Sequence, residues 1–116
     1  MKLAFIIDPL DSIKTHKDTS YALIHEAVAR NHWIHVLYQQ DIALINQVVT
    51  GFSRALSLTG SSSANDPWYS ISDISAIPLR EFDAVFMRKD PPFDMEYIYS
   101  TYLLELAETQ GAWVIN

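Results

Sequence analysis

Residues 88–94 are the segment of this sequence best suited to bind a charged ligand. They read Arg-Lys-Asp-Pro-Pro-Phe-Asp and directly follow the apolar run 84–87. The two prolines lack an amide hydrogen and have a fixed φ, so they hold the backbone extended and stiff. A guanidinium group can bind a carboxylate or phosphate through two parallel hydrogen bonds, and a carboxylate can accept from an ammonium group. The segment therefore predicts part of a site for a charged small molecule.

Asp8 is a second polar residue that directly follows an apolar run. Residues 3–7 and 84–87 are apolar throughout, which is typical of strands buried on both faces of a parallel sheet. Ligands bind at the carboxyl ends of the strands in open α/β sheets. If the two strands are neighbours, the candidate site contains Asp8, Arg88, Lys89, Asp90 and Asp94. The alternative is that Arg88 pairs with Asp90 and that the prolines only stiffen a turn.

Another polar cluster, Thr15-His16-Lys17-Asp18-Thr19-Ser20, precedes a predicted helix over 17–31. Its hydroxyl groups and the helix N-terminus could hold an anion, and Ser20 is the candidate contact. An ordinary capped helix start explains the cluster equally simply and is the favoured interpretation. The chain has three glycines, none of them between Asp8 and Tyr21, so it has no dinucleotide fingerprint or Walker loop.

Strands and helices alternate at both ends of the chain. Strand 3–7, helix 17–31 and strand 33–38 form a predicted βαβ unit; strand 84–88, helix 95–110 and strand 112–115 continue the pattern. The second helix is expected to bury Ile98, Tyr102 and Leu106, which lie at helical spacing. The predicted fold is an α/β domain with a mainly parallel central sheet and helices on both faces.

The middle of the chain has a different pattern. Ile42–Ile45 is predicted to form one helical turn, and alternating residues then predict an antiparallel β-hairpin at about 47–76 with a Ser-rich tip at 59–66. The hairpin is expected to be an edge ribbon inserted into the α/β unit, with one face in water. We expect a homo-oligomer that associates through apolar ribbon residues, namely Phe52, Leu56, Trp68 and Ile71.

Composition restricts the function further. The chain has 116 residues, the size of one domain, and a formal charge of −6, which disfavours binding to nucleic acid or to an anionic membrane. It has no cysteine, and it has no apolar stretch of the length of a signal peptide core or a membrane span. His32 and His35 have the wrong spacing in a strand to share a metal ion. The expected location is the cytoplasm.

Four motifs together resemble the N-terminal domain of the bacterial glutathione synthetase family, from end to end of the chain. They are Asp8-Pro9, the stretch from Lys17 to Ala27, Met87–Asp94 with its Arg-Lys-Asp-Pro-Pro-Phe-Asp string, and Tyr97–Tyr102. The resemblance implies a Rossmann-like pre-ATP-grasp domain over residues 1–116, truncated before the ATP-grasp domains. It places Asp8, Ser20, Arg88, Lys89, Asp90 and Asp94 on the substrate side, with no catalytic residue and no metal ligand in this chain.

The activity that the resemblance implies is the ATP-dependent ligation of γ-glutamylcysteine and glycine through an acyl phosphate. ATP and Mg²⁺ are then held by later domains, with which this domain would pack, and the chain alone is expected to be inactive. The alternative is a non-catalytic Rossmann-type module for small-molecule binding or oligomerisation. A nicotinamide oxidoreductase is disfavoured, because the dinucleotide fingerprint is absent.

Overall fold

A computed structural model of the chain describes residues 1–13, 19–60, 67–88 and 95–115, without the side chains of residues 96 and 97. It has an α/β fold, in which a curled sheet packs with helices α1 (Thr19–Ala29) and α2 (Met95–Thr109). Within the described residues the sheet has eight strands: β1 Lys2–Ile6, β2 Trp33–Leu37, β3 Ile42–Ile45, β4 Val48–Leu58, β5 Tyr69–Ile71, β6 Ser75–Pro78, β7 Ala84–Met87 and β8 Val114–Ile115.

The sheet is mixed. Its strand order is β3-β4-β2-β1-β7-β8, with β5 and β6 also paired to β4. Strands β2, β1, β7 and β8 are parallel, whereas every pairing of β4 is antiparallel. The sequence predicted a mainly parallel sheet, but only four of the eight described strands have a parallel neighbour. A parallel pair needs a long crossover, usually a helix, and the chain between β2 and β7 forms no helix longer than one 3₁₀ turn in its described residues.

The predicted helical turn at Ile42–Ile45 is wrong, because these residues form strand β3. A single helical turn lies just before it, at Gln39–Asp41. Asn46 and Gln47 adopt positive φ values of 50° and 67°, and they join β3 to β4 as a two-residue hairpin loop. Two consecutive positive φ values match the right-handed twist of the flanking strands, so this loop selects a hairpin.

Strand β4 is internal to the sheet, unlike the strand of the predicted edge ribbon. Its first half pairs with β3 and β6, and its second half pairs with β2 and β5. Gly51 lies in the first half, between Ile42 of β3 and Ile77 of β6, and a Cβ atom there would be 2.8 Å from Cδ1 of Leu37. The antiparallel pair β4–β5 does form a hairpin, closed by the bond from Thr59 N to Trp68 O at 3.1 Å. Most of its predicted Ser-rich tip, residues 61–66, lies outside the described residues.

Successive side chains of β1 belong in turn to two clusters of buried residues. Ala4 and Ile6 belong to a cluster that includes three residues of α2, namely Leu103, Leu104 and Ala107. Leu3, Phe5 and Ile7 belong to a cluster that includes two residues of α1, Ile24 and Ala27. This explains why residues 3–7 are apolar at every position. Full burial of one large aliphatic or aromatic side chain contributes about 1.5–3 kcal/mol.

The buried face of α2 differs from the prediction. Ile98 is half-buried, but Tyr102 is 64% exposed and Leu106 is 37% exposed. The buried face consists of Ser100, Leu103, Leu104 and Ala107. Because α2 carries two apolar stripes, periodicity alone could not select the face that packs on the sheet. No helix within the described ranges is long and apolar enough to cross a membrane.

Candidate functional site

The carboxyl ends of three adjacent parallel strands form one polar edge of the sheet. Ile6 of β1 is in register with Leu37 of β2 and with Met87 of β7. The backbone continues this pairing past the strand ends, since Arg88 N donates to Ile6 O at 2.8 Å and Ile7 N donates to Leu37 O at 3.1 Å. Asp8 and Arg88 therefore follow neighbouring strands at the same edge.

Arg88 is half-buried, and its Nε is a buried donor without a hydrogen-bond partner among the described residues. Leaving a buried donor unsatisfied costs about 1–3 kcal/mol, and more when the group is charged. An acceptor oxygen supplied by a ligand would remove this cost. A guanidinium group favours a carboxylate for this role, because its planar donors match two carboxylate oxygens.

Of the other predicted site residues, the structure describes Asp8 and Ser20. Asp8 is half-buried at the same edge as Arg88. Ser20 lies in the first turn of α1 and is only 6% exposed, so few of its atoms reach the surface. Lys89, Asp90 and Asp94 lie outside the described residues, and so does the alternative pairing of Arg88 with Asp90.

Gln39 is a residue of this edge that the sequence did not single out. It begins the 3₁₀ turn that follows β2, its side chain is 4% exposed, and its Nε2 has no hydrogen-bond partner in the described part of the chain. Strand β2 also ends at the polar edge, so the rule that located Asp8 and Arg88 would have located Gln39 as well. Tyr38, just before it, accepts a hydrogen bond from Leu10 N at 3.4 Å on its hydroxyl oxygen.

Trp68 and Tyr69 tie the hairpin to α1 and to the turn Leu10–Ser12. The Tyr69 hydroxyl donates to Asp11 Oδ1 at 2.6 Å, and the Trp68 ring meets the Tyr21 ring edge-on, with centroids 4.9 Å apart. The Asp11 carboxylate, as acceptor of this bond, raises the pKa of Tyr69 to about 12, with a smaller contribution from burial. The hairpin therefore contacts both the turn Leu10–Ser12 and the first turn of α1.

The histidines of β2 and the preceding turn have structural partners. His35 Nδ1 is 3.2 Å from Ser53 Oγ, and burial together with the positive charge of Lys2 lowers its pKa. His32 Nδ1 is 3.1 Å from the amino group of Met1. In the described part of the chain, no three His, Asp or Glu side chains are grouped closely enough to hold a metal ion.

The fold and this edge define an α/β domain whose polar residues follow the ends of adjacent parallel strands. The family model for the prokaryotic glutathione synthetase N-terminal domain matches residues 1–116. The chain belongs to this family, which confirms the resemblance found in the sequence.

Curated relatives agree with this family. The chain is 59% identical over 116 residues to a glutathione synthetase of Nitrosomonas europaea, covering 100% of this chain and 36% of the relative. It is 47% identical over 116 residues to the Ralstonia nicotianae protein of the same name, covering 100% of this chain and 35% of the relative. A third, from Coxiella burnetii, is 42% identical over 118 residues, with 100% and 35% covered. The chain thus spans about a third of the length of these relatives.

Proposed function

We propose that the chain acts as the N-terminal, substrate-side domain of a glutathione synthetase, a ligase that joins γ-glutamylcysteine to glycine with ATP. The family match supports the enzyme class, and relatives named glutathione synthetase cover the whole chain. The observation that carries the site is the buried Nε of Arg88 at the carboxyl edge of the sheet, which has no partner among the described residues.

In this proposal the residues of the polar edge bind and orient a substrate. Arg88 binds a substrate carboxylate, and Asp8 accepts from a substrate ammonium group, which suits molecules that carry both charges. Lys89, Asp90 and Asp94 follow Arg88 directly in the sequence and complete the proposed substrate-binding set, with Ser20 at the start of α1. Gln39 joins this set as a further donor.

ATP and Mg²⁺ do not fit the residues described in this chain. The metal requires a group of oxygen ligands, and the described residues contain no such cluster. Gly51 lies inside β4, Gly60 comes between β4 and β5, and Gly111 comes between α2 and β8, so in the described residues none of the three leads into a helix as a phosphate-binding loop does. We assign both to the part of the longer enzyme beyond residue 116, and we expect the isolated chain to be inactive.

We also propose that the fold is a Rossmann-like pre-ATP-grasp domain. A Rossmann-like pre-ATP-grasp domain has helices on both faces of its sheet. The alternation along β1 supports this arrangement, because successive side chains of a strand point to opposite faces. Ala4 and Ile6 cluster with α2, and Leu3 and Phe5 cluster with α1. We assign residues 1–116 to one such domain, with the hairpin at about 47–76 as an insertion, and place the enzyme in the cytoplasm.

Steady-state kinetics of the longer enzyme test the role of Arg88. Arg88→Ala should lower kcat/KM for γ-glutamylcysteine or glycine about ten- to a hundredfold, since losing a charge-assisted hydrogen bond costs roughly 1.5–3 kcal/mol. The matched control is Arg80→Ala, which removes an exposed arginine from the turn Leu79–Glu81. Unchanged kcat/KM for both substrates, or a large loss of thermal stability instead, would contradict the proposal.

A further inference from the structure

His35 lies where the parallel and antiparallel parts of the sheet meet. Strand β2 pairs in parallel with β1 on one side and antiparallel with β4 on the other. Among the described strands, the β2–β4 pairing is the one that joins the parallel strands to the antiparallel ones. It has three residue pairs, and His35 opposite Ala55 is the central pair. A side chain at this position can therefore affect how the two parts of the sheet are held together.

The His35 imidazole has close partners on two other segments. Its Nδ1 is 3.2 Å from Oγ of Ser53, a fully buried residue on the same face of β4 as Ala55. Its ring meets the ring of Phe82 at an angle of 66°, with the centroids 5.3 Å apart. Phe82 directly follows the turn Leu79–Glu81 and belongs to the buried cluster that includes residues of α2. The imidazole thus connects β2 to β4 and to the core.

The charges around this ring disfavour a second positive charge. On β1, the Lys2 ammonium group lies 5.2 Å from the centroid of the same Phe82 ring. The Asp83 carboxylate accepts a hydrogen bond from Lys2 N at 2.6 Å. In the described part of the chain, no carboxylate forms an ion pair with His35. A protonated His35 would therefore lie beside Lys2 without a counter-ion.

The other charged residues on the packed segments do not compensate for Lys2. Arg54 of β4 is itself positive, and its Nη1 donates to Ser72 O at 3.1 Å. Arg80 and Glu81, in the turn before Phe82, are both exposed. Burial lowers the pKa of His35, and the positive charge of Lys2 lowers it further.

A cleft of about 410 Å³ borders the same junction. Its lining includes the central pair, His35 and Ala55, and the exposed residues Trp33 and Ser57. The cleft gives water access to the half-buried imidazole. A protonated ring can turn into this space and be hydrated, but it then loses its contact with Ser53.

We propose that His35 is an acid-sensitive clamp, which holds β2 against β4 when it is neutral and releases this junction when it is protonated. Release costs the contacts with Ser53 and Phe82, and it gains hydration of the imidazolium in the cleft. Because folding lowers the pKa of His35 from 6.5, the clamp contributes its full stabilisation above pH 6.5. This stabilisation is lost as pH falls from there through the lower folded-state pKa. The inference does not depend on the proposed catalytic function.

Titration of His35 in the native protein, in its full length, is the first test. Exchange of the imidazole Cε1 hydrogen, followed by mass spectrometry, should give a midpoint below pH 6.5. Lys2→Gln should raise this midpoint without bringing it to 6.5, because burial is the larger cause of the lowered pKa. The control is Arg80→Gln, which removes an exposed positive charge from the turn Leu79–Glu81 and should shift the midpoint less.

Amide hydrogen exchange shows which part of the sheet is released. Between pH 8 and pH 5, the protection factors of Val36 and Leu56, in the β2–β4 ladder, should fall severalfold. The protection factor of Val85 should stay nearly constant, because its amide donates to Trp113 O at 2.8 Å in the parallel part of the sheet. A local release of this kind differs from global unfolding, which would lower the protection of all three amides together.

His35→Asn separates the titration from the hydrogen bond. An asparagine amide can still bond to Ser53 Oγ, but it does not titrate, so the fall in protection between pH 8 and pH 5 should disappear. The matched control is His25→Asn, which changes an exposed histidine of α1. This control should retain the fall seen in the wild type.

Three results would overturn the proposal. One is a midpoint for His35 at or above 6.5. Another is a fall in protection that is as large at Val85 as at Val36 and Leu56. The third is the same fall in His35→Asn as in the wild type. If His35→Asn does not fold, the first two measurements still decide, because both are made on the wild type.

Discussion

The hydroxyl of Tyr69 donates a 2.6 Å hydrogen bond to Oδ1 of Asp11, joining strand β5 to the turn that follows β1. The two residues are 58 positions apart in the sequence. The bond raises the pKa of Tyr69 to about 12 from an ordinary value of 10. It therefore links the hairpin to the turn Leu10–Ser12, and it makes this link sensitive to alkaline pH.

The first prediction concerns this pH dependence. A folded-state pKa above the unfolded value means that the stabilisation is complete below pH 10 and is lost as pH rises from 10 through about 12. Tyr69→Phe should lower the free energy of unfolding by about 0.5–1.5 kcal/mol at pH 8. Urea unfolding at pH 8 to 12 should show the wild type and the variant converging. A constant difference across this range would contradict the role of the bond.

The second prediction concerns the buried face of α2. Leu104 is 6% exposed and Leu106 is 37% exposed on the same helix. Leu104→Ala should lower the free energy of unfolding by about 2–5 kcal/mol, because it leaves a cavity in the core. Leu106→Ala, the matched control, should cost less than half as much in the monomer. Chemical denaturation of both variants at low protein concentration measures the difference, and equal losses would contradict the described face.

The elements with strong periodicity could be predicted from the sequence. Strands β1, β2 and β7 and both helices have bounds within about two residues of the predictions, because an apolar run or a helical stripe marks each of them. The strand conformation of Ile42–Ile45 could not be predicted in the same way. A short apolar run is compatible with a strand or with a helical turn. Here the positive φ values of Asn46 and Gln47 form a tight loop that makes Ile42–Ile45 the first strand of a β-hairpin.

The candidate site was predictable in part for a similar reason. Asp8 and Arg88 directly follow the apolar runs 3–7 and 84–87, so the strand-end rule located them at one edge. Gln39 was missed because it is neutral and no proline or glycine marks its turn. The burial that makes it noteworthy arises from packing of the Gln39–Asp41 turn against α2, a contact between segments far apart in the sequence.

The third prediction concerns the turn between β3 and β4. Gln110, just after α2, accepts from Val49 N at 3.0 Å through Oε1 and donates to Gln47 O at 2.7 Å through Nε2. Gln110→Ala should lower the free energy of unfolding by about 1–3 kcal/mol, since two backbone groups lose their partner. Gln110→Glu keeps the acceptor for Val49 N but sets a carboxylate oxygen against Gln47 O, so it should also lower the free energy of unfolding. Hydrogen exchange at Val49 should accelerate in the alanine variant, and unchanged exchange there would contradict this role.

The fourth prediction separates function from stability at Gln39. Its Nε2 is buried without a hydrogen-bond partner in the described part of the chain, so the free protein carries the cost of an unsatisfied donor. Gln39→Leu has nearly the same volume and removes that donor. The free energy of unfolding should therefore stay constant or rise by about 1 kcal/mol. If the amide serves a substrate oxygen, the same variant of the longer enzyme should show a higher KM, by roughly tenfold for one lost hydrogen bond.

The control for this experiment is Gln40→Leu, because Gln40 is the next residue in the same turn and is exposed. Gln40→Leu should leave both the KM values and the free energy of unfolding close to those of the wild type. A purely structural role for Gln39 gives a different pattern, in which Gln39→Leu lowers stability and leaves KM unchanged. Substrate titration of the two variants, combined with their denaturation curves, therefore decides whether the buried amide binds substrate or supports the fold.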